Sequence, residues 1–346
     1  MTMTEPASTS LKTAHLEISR RLSGLDLGTI WPGFHPFRFA LYDDNRVCFS
    51  GSEVPRDERF IGNTSINYDG ERIAIWNLPF PYSVFDGLCA CIVHEMFHAY
   101  QDETGSMQLP EKMYGPFYPR ELRNFSLKYR EDLLLASLAE KFEPGGWREF
   151  KAMRAERLGL YPAAVAYELI TEALEGTATY VELQVLKWLN AEVYGKKYGR
   201  ALNNLRSREK VFDVRLLSYD SGALIARLLR ENGLPPVDWR EESKIAFTGP
   251  ATLPDLEQDF QAYFGGIDKM VQEALSRAEK IGPDRTSLIC FDSYNVRSSG
   301  DYLYHPNFIS IGRSEKDQKF LMGPHVTKMK ERTAEILEIW RVPAQK

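Results

Sequence analysis

Two histidines and a glutamate have the spacing of a metal-binding motif. His94 and His98 are four residues apart, and Glu95 directly follows the first histidine. On an α-helix, residues i and i+4 project from the same face about one turn apart, so both imidazoles can contact one metal ion. Glu95 lies about a hundred degrees round the helix, where its carboxylate can reach a water molecule on that ion. The motif therefore predicts a zinc site with a general base for hydrolysis.

A second segment carries carboxylates that could complete the site. Glu172, Glu175, Thr179 and Glu182 fall at i, i+3, i+7 and i+10 along one stripe of a predicted helix. A solvated acidic face is the alternative interpretation, but small and apolar residues surround the carboxylates. Gly176 in mid-helix costs about 1 kcal/mol against alanine and so indicates close packing. We therefore expect at least one of these acids to be a metal ligand, which leaves the fourth position of the metal open.

The two segments together resemble the gluzincin zinc metallopeptidases. The likeness is to the membrane-alanyl aminopeptidase branch, whose second motif reads Asn-Glu-Gly-x-x-x-Tyr-x-Glu and corresponds to Leu174 through Glu182 here, with leucine in place of the asparagine. The resemblance implies a zincin-like fold and one Zn²⁺ held by His94, His98 and Glu175. It also implies that Glu95 is the general base. Glu172 remains the alternative third ligand.

A third motif of the same branch matches further along the chain. Tyr219 begins a Tyr-x-x-Gly segment that ends at Gly222, and in that family the tyrosine phenol stabilises the oxyanion. A tyrosine packed at the start of a helix is the alternative. The chain differs from that family in having 175 − 98 − 1 = 76 residues between His98 and Glu175, which predicts an inserted helical segment. It also lacks the Gly-x-Met-Glu-Asn segment that binds the substrate amine, so aminopeptidase specificity is not predicted.

The sequence also offers candidates for the groups behind the metal ligands. The residues after His98 are similar to the thermolysin helix, which carries alanine and then aspartate after its second histidine. Ligand histidines usually donate their other ring N–H to a carboxylate or carbonyl. Asp102, one turn beyond His98, could accept such a bond, although an exposed carboxylate at the helix end is the alternative. Thr179, one turn after Glu175, could accept more weakly.

Composition limits the possible partners. The chain has 346 residues, 43% hydrophobic and 26% charged, as in a globular protein. Its 43 basic and 48 acidic residues show no basic stripe, so nucleic acid is not an expected partner. We see no apolar run of about 20 residues and no apolar core near the N-terminus, so we expect neither membrane insertion nor secretion. Four scattered cysteines predict no disulfide framework, and the sequence is interpreted as cytoplasmic.

Hydrophobic periodicity predicts a mainly helical α+β fold. A helix is expected over residues 84–103, with a capping box at Ser83 and Asp86. Nearly all of residues 120–232 have helical spacing, interrupted near Pro144. These two stretches would carry the metal ligands.

A small N-terminal antiparallel sheet is predicted over residues 36–80. Two hairpins are expected, with turns at Asp44-Asn45 and Asp69-Gly70. By the resemblance, residues 72–77 form an edge strand that pairs with extended substrate; a buried strand is the alternative.

The chain is expected to fold around one main domain. Residues 1–280 would form the catalytic domain, beginning with an amphipathic helix over residues 10–23. Residues 281–346 would add short strands near 286–291 and 302–311 and a closing helix over residues 326–340, packed on the same domain.

The predicted function is that of a zinc metallopeptidase. Zinc would activate a water molecule, Glu95 would accept its proton, and Tyr219 would stabilise the oxyanion on a peptide substrate. One alternative is a zinc hydrolase of a non-peptide amide or ester, because site geometry does not determine the acyl group. Another is a non-catalytic metal-binding protein with a zincin fold.

Overall fold

The computed structural model describes residues 10–78, 85–242, 252–282, 286–314 and 316–343. Its helices are α1 (Leu11–Leu22), α2 (Leu27–Ile30), α3 (Phe85–Glu103), α4 (Leu122–Glu140), α5 (Pro144–Leu160), α6 (Pro162–Thr171), α7 (Thr177–Leu189), α8 (Ala191–Leu205), α9 (Val214–Glu231), α10 (Trp239–Glu242) and α11 (Glu257–Ser276). A π-helical turn (Glu172–Gly176) joins α6 to α7, and a 3-10 turn covers Lys210–Phe212.

The strands are β1 (Phe39–Tyr42), β2 (Arg46–Phe49), β3 (Ser52–Pro55), β4 (Thr64–Tyr68), β5 (Glu71–Asn77), β6 (Glu279–Gly282), β7 (Thr286–Phe291), β8 (Arg297–Ser299), β9 (Tyr302–His305), β10 (Phe308–Ser314), β11 (Asp317–Met322), β12 (His325–Met329) and β13 (Glu335–Arg341). Helices and strands are both extensive, so the predicted α+β class is confirmed.

The chain divides into two compact units. The first unit comprises Met1–Gln108, Glu172–Asn203 and Tyr219–Leu234, and the second comprises Leu109–Thr171, Asn204–Ser218 and Pro235–Lys346. This division differs from the predicted single domain over residues 1–280, because α4, α5, α6 and α11 all fall in the second unit.

A five-stranded sheet lies in the first unit, in the order β3-β2-β1-β5-β4. The prediction of an antiparallel sheet is wrong in one respect, because β1 and β5 pair in parallel and the sheet is mixed. Its β1–β2 and β4–β5 pairs are antiparallel, which confirms the two predicted hairpins. Asp69 and Gly70 have φ values of 53° and 87° in the second turn. Positive φ at both central residues is the requirement of a type I′ hairpin turn, which Asp-Gly meets at low cost.

The expectation that residues 72–77 form an edge strand is wrong. Strand β5 pairs with β4 on one side and, in parallel, with β1 on the other. Its residues Ile73, Ala74 and Ile75 are all buried, as in a strand covered on both faces. The buried-strand alternative therefore describes β5, and β4 is the outer strand beside it in this sheet.

Helices α3 and α7 pack against each other in the first unit and carry the residues of the predicted site. Ala178, Val181 and Val185 form a buried stripe on α7, at the i, i+3, i+7 spacing that faces a core. Helix α1 begins where predicted, with the Ser10 hydroxyl accepting from the Thr13 N–H at 3.2 Å. Helix α3 is described from Phe85 onward, so the predicted cap at Ser83 lies outside the described residues.

The second unit contains α4, α5, α6 and α11, together with an antiparallel sheet in the order β11-β10-β7-β13-β12-β9-β8, with β6 also paired to β13. Helices α4 to α6 supply the inserted helical segment predicted between the two ligand-bearing stretches, and α5 begins at Pro144 where an interruption was expected. The strands predicted near residues 286–291 and 302–311 are present as β7, β9 and β10.

The predicted closing helix over residues 326–340 is wrong, because this stretch forms β12 and β13. Val326 and Met329, like Ile336 and Ile339, are buried at the i, i+3 spacing that suggested a helix. The pairing of β12 with β13 shifts register once, because the neighbours Lys328 and Met329 face Glu338 and Ile336, so the extra residue of this β-bulge lies in β13. A bulge inserts one residue into a strand, so in β13 it converts the i, i+2 alternation into the i, i+3 spacing of Ile336 and Ile339, which resembles a helix.

Candidate metal centre

The imidazoles of His94 and His98 meet on one face of α3. Their Nε2 atoms are 3.1 Å apart, as the i, i+4 spacing within a helix allows. Glu175 approaches them from the π-helical turn, with its Oε2 3.3 Å from His98 Nε2 and 3.7 Å from His94 Nε2. All three side chains belong to the first unit and are nearly buried. Among the described residues, they form a group of side chains that could hold a metal ion.

The dimensions of this triangle fit a zinc ion. Zn–N and Zn–O bonds of about 2.0–2.1 Å place neighbouring ligands of a tetrahedral site about 3.3 Å apart. The three separations, 3.1, 3.3 and 3.7 Å, lie around that value. A point about 2 Å from all three donor atoms therefore exists. Two imidazole nitrogens and one carboxylate are also a donor set that zinc prefers, and they leave one of four positions for solvent or substrate.

The π-helical turn determines which acid reaches the histidines. A π turn inserts a residue into a helix, so the side chains after it are rotated relative to the regular stripe. Glu175, inside the turn, reaches the two imidazoles, whereas the Oε1 of Glu172 accepts a hydrogen bond from Ser221 Oγ at 2.6 Å. The structure thus brings together Glu175, and not the alternative Glu172, with His94 and His98.

Close packing holds the turn against α9. A Cβ atom on Gly176 would lie 2.5 Å from the Cα of Gly222, so neither position has room for a side chain. The prediction that Gly176 marks close packing is therefore confirmed. This contact also brings the start of α9 to the site, where the Tyr219 ring stacks on the His94 ring with centroids 6.5 Å apart and planes within 9°.

Glu95 lies on α3 beside the two histidines. Burial raises the pKa of its carboxyl group, while the neighbouring His94 and His98 act in the opposite direction. The structure therefore places the predicted base in a largely buried position within electrostatic range of the three donor groups. A carboxylate so placed can accept a proton from a water molecule at the site.

A buried carboxylate stands behind His94. Glu182 Oε2 is 3.5 Å from His94 Nδ1, a separation that exceeds a normal hydrogen bond and is better described as an ion pair. The Oε1 of Glu182 contacts the Lys197 ammonium and accepts from the Cys91 thiol at 3.6 Å. Burial raises the pKa of Glu182, but His94 and Lys197 lower it more, to about 2.

The carboxylates of Glu175 and Glu182 favour the protonated form of His94 when no metal is bound. Burial lowers the pKa of His94, but Glu175 and Glu182 raise it more, to about 10. Zinc binds neutral imidazole, so a metal ion would take the place of this proton between Glu175 and His94.

A neutral amide stands behind His98. Gln101 Oε1 is 2.7 Å from His98 Nδ1. The predicted outer groups do not take this position: Asp102 pairs with Arg72 at 3.3 Å and is half-exposed, and the buried Thr179 hydroxyl has no hydrogen-bond partner among the described residues. The sequence analysis assigned no role to Gln101, and it considered Glu182 only as one acid of the stripe that could supply a metal ligand. Their spacing contained the signal, because Gln101 lies one turn after His98 and Glu182 ends the acidic stripe.

The cysteines take no part in the candidate cluster. Cys48 and Cys89 are buried, and Cys91 and Cys290 are partly buried. None of the helices in the described part of the chain combines the length and the apolar composition that a membrane span requires. Comparison of the chain with family models, with curated proteins and with solved structures finds no match.

Proposed function

We propose that the protein is a zinc-dependent hydrolase, and specifically a metallopeptidase. The observation that carries the proposal is the triangle formed by His94 Nε2, His98 Nε2 and Glu175 Oε2, whose sides match the edges of a tetrahedral zinc site. A purely structural zinc site is normally closed by four protein ligands, whereas three ligands with one open position are typical of catalytic zinc.

The site residues have distinct roles in the proposed reaction. His94, His98 and Glu175 would hold the ion, which when bound supplies a Lewis acid and lowers the pKa of water. Glu95 accepts the proton of the attacking water at its carboxylate and afterwards gives it to the leaving amine. Its position directly after His94 on α3 keeps the base beside the metal without using it as a ligand.

Tyr219 is the proposed oxyanion donor. Its ring stacks on the His94 ring, so the phenol belongs to the same site although it comes from α9. A tyrosine O–H near the metal can donate a hydrogen bond to the negative charge that develops on a carbonyl oxygen in the transition state. The order of the three motifs along the chain, which resembles that of the gluzincins, is the support for a peptide as the substrate.

The experiment combines elemental analysis with peptide digestion. Protein purified without added metal is expected to contain about one zinc per chain, and a diverse peptide mixture analysed by mass spectrometry should show new cleavage products that a chelator abolishes. Glu95→Gln should retain zinc and lose turnover by about 10²-fold or more. Glu103→Gln is the matched control, because Glu103 lies on the same helix and is half-exposed beside His35.

Each alternative predicts a different result. Zinc-dependent turnover of small amides or esters with no peptide cleavage would support a non-peptide hydrolase and contradict the peptidase assignment. Bound zinc with no turnover on any substrate would indicate a non-catalytic metal-binding protein. A chain without zinc, unable to take it up, would refute the proposal as a whole.

A further inference from the structure

Gln101 makes contacts on two sides that connect two metal-ligand candidates. Its side-chain oxygen faces His98 Nδ1 at 2.7 Å. Its side-chain nitrogen faces the carbonyl oxygens of Leu174 at 2.9 Å and Ala173 at 3.3 Å and the Thr177 hydroxyl at 3.0 Å. The residue is 5% exposed, so no water competes freely for these bonds.

The acceptors around Gln101 determine which way its amide points. Two of them are backbone carbonyls, which can only accept, and the Thr177 hydroxyl already donates to Ala173 O at 2.6 Å. The NH₂ group must therefore face the π-helical turn, because a reversed amide would place its oxygen against these oxygens. The two N–H bonds are shared among three acceptors, and the amide oxygen is left for His98.

This orientation fixes the tautomer of His98. An amide oxygen accepts and cannot donate, so the proton of a neutral His98 imidazole must be on Nδ1. The Nε2 lone pair is then directed to the triangle shared with His94 and Glu175. Zinc requires that lone pair, and ligand histidines are commonly fixed by such a bond from their second nitrogen.

The same amide also supports the turn that carries Glu175. Leu174 supplies the carbonyl of the peptide bond whose nitrogen belongs to Glu175. In a π turn the carbonyls no longer meet the N–H groups of a regular α-helix in the usual register, and other donors can contribute. Gln101 and Thr177 both donate to carbonyls of this turn.

We infer that Gln101 is a positioning residue that couples the His98 imidazole to the turn bearing Glu175, and so sets the distance between these two metal ligands. This inference rests on the proposed zinc site. By this inference the uncharged Gln101 side chain determines both the tautomer of His98 and the position of Glu175. Neither Asp102 nor Thr179 has this role.

The first test is the zinc dissociation constant of Gln101→Met, measured by competition with a chromophoric chelator. Methionine has nearly the same volume but neither of the two amide functions. We expect zinc binding to weaken by 10- to 100-fold, the range typical for loss of an outer-shell partner. The control is Asp102→Asn, on the neighbouring half-exposed residue, which should bind zinc as the wild type does.

A second readout separates positioning from simple packing. In long-range ¹H–¹⁵N spectra of zinc-loaded wild-type protein, His98 should show a protected Nδ1–H proton, which should be lost in Gln101→Met. A merely structural role would lower the melting temperature of the metal-free protein and leave both the zinc dissociation constant and the His98 signal unchanged. That result would overturn the inference.

Gln101→Glu tests the coupling without relying on the methionine variant. The carboxylate keeps an acceptor for His98, and a carboxylate partner makes a ligand histidine more basic, so tautomer control alone predicts zinc binding as tight as in the wild type or tighter. Coupling predicts weaker binding, because the carboxylate faces the Leu174 and Ala173 carbonyls without a donor. Equal or tighter binding would overturn the coupling while leaving the zinc site intact, whereas a wild type that binds no zinc would remove both.

Discussion

The backbones of Gly176 and Gly222 meet so closely that a Cβ atom on either residue would lie under 3 Å from backbone atoms of the other helix. This contact fixes α9 on the π-helical turn, and it places Tyr219, one turn before Gly222, beside His94. The absence of side chains at Gly176 and Gly222 therefore determines how Tyr219, the proposed oxyanion donor, reaches the proposed metal ligands.

Gly222→Ala is expected to destabilise the first unit by roughly 1–3 kcal/mol, because the added methyl group meets backbone atoms of Glu172 and Gly176 that cannot move independently. Gly195→Ala on α8 is the matched control. Its Cβ meets nothing within 4 Å, so helix propensity alone predicts a gain of about 0.5–1 kcal/mol. Urea unfolding measures both changes, and equal effects at the two positions would contradict the packing argument.

Glu175→Gln should lose most of its zinc, whereas Glu172→Gln should retain it. Glu175 Oε2 is 3.3 Å from His98 Nε2, while Glu172 is hydrogen-bonded to Ser221. Elemental analysis after dialysis against metal-free buffer measures the difference. If Glu172→Gln lost zinc and Glu175→Gln kept it, Glu172 and not Glu175 would be the ligand.

Glu182→Gln should weaken zinc binding by about 10- to 100-fold while leaving the three ligands unchanged, because an outer carboxylate orients its histidine. The amide would also lose part of its attraction for Lys197. Glu192→Gln is a suitable control. Glu192 is an exposed residue on α8 that forms an ion pair with the exposed Lys196. Similar zinc dissociation constants for the two variants would remove Glu182 from the site.

Removal of zinc should destabilise the first unit selectively, since the three proposed ligands lie in it. Free zinc at 100 times its dissociation constant is expected to stabilise that unit by about 2.7 kcal/mol. Hydrogen exchange read by mass spectrometry should show slower exchange with zinc in α3 and α7 and little change in β7 to β13. Magnesium prefers all-oxygen sites, so it should not substitute for zinc. Uniform protection across the chain would contradict this localisation.

Acid should destabilise the second unit through a buried carboxylate. Glu168 accepts two hydrogen bonds from Arg157, both at 2.7 Å, and one from Tyr118 at 2.6 Å. Burial raises the pKa of Glu168, but the Arg157 and Lys128 charges lower it more, to about 2. Because the folded pKa is below the usual 4.5, this stabilisation is present above about pH 4.5 and is lost as pH falls toward 2.

Glu168→Gln should cost about 3–5 kcal/mol at pH 7, because it breaks a buried pair and leaves Arg157 poorly compensated. The dependence of unfolding free energy on pH between 4.5 and 2 should become less steep in this variant. Glu140→Gln removes an exposed partner of Arg206 and should change the stability little. An unchanged acid profile in Glu168→Gln would contradict the assigned pKa direction.

Local patterns in the sequence were sufficient for several elements of the first unit, but not for α2, β3 or the π-helical turn. Helix α3 follows from an apolar stripe, and the β4–β5 hairpin follows from Asp69-Gly70, whose positive φ values only a few residue types accept readily. Both are determined by neighbours along the chain. The position of β5 between β4 and β1 depends on a partner more than 30 residues earlier, so no local pattern could reveal that it is not an edge.

The parts that the sequence predicted wrongly or not at all involve single inserted residues or distant contacts. The bulge in β13 gives a strand the buried spacing of a helix. The π turn changes the direction in which the Glu172 and Glu175 side chains project within an otherwise regular helical pattern. Gln101 was missed because its partners Ala173 and Leu174 are more than 70 residues away, whereas Asp102 was a candidate only by comparison with another helix.

The order of the segments along the chain has a consequence for biosynthesis. The histidines are synthesised before Leu109–Thr171, a stretch of the other unit, and Glu175 comes only after it. A nascent chain that has emerged from the ribosome only as far as Thr171 contains both imidazoles. It lacks the Glu175 carboxylate, which is the third proposed ligand. We therefore expect tight metal capture to begin late in translation, and a fragment truncated at residue 171 to hold the ion far more weakly than the complete chain does.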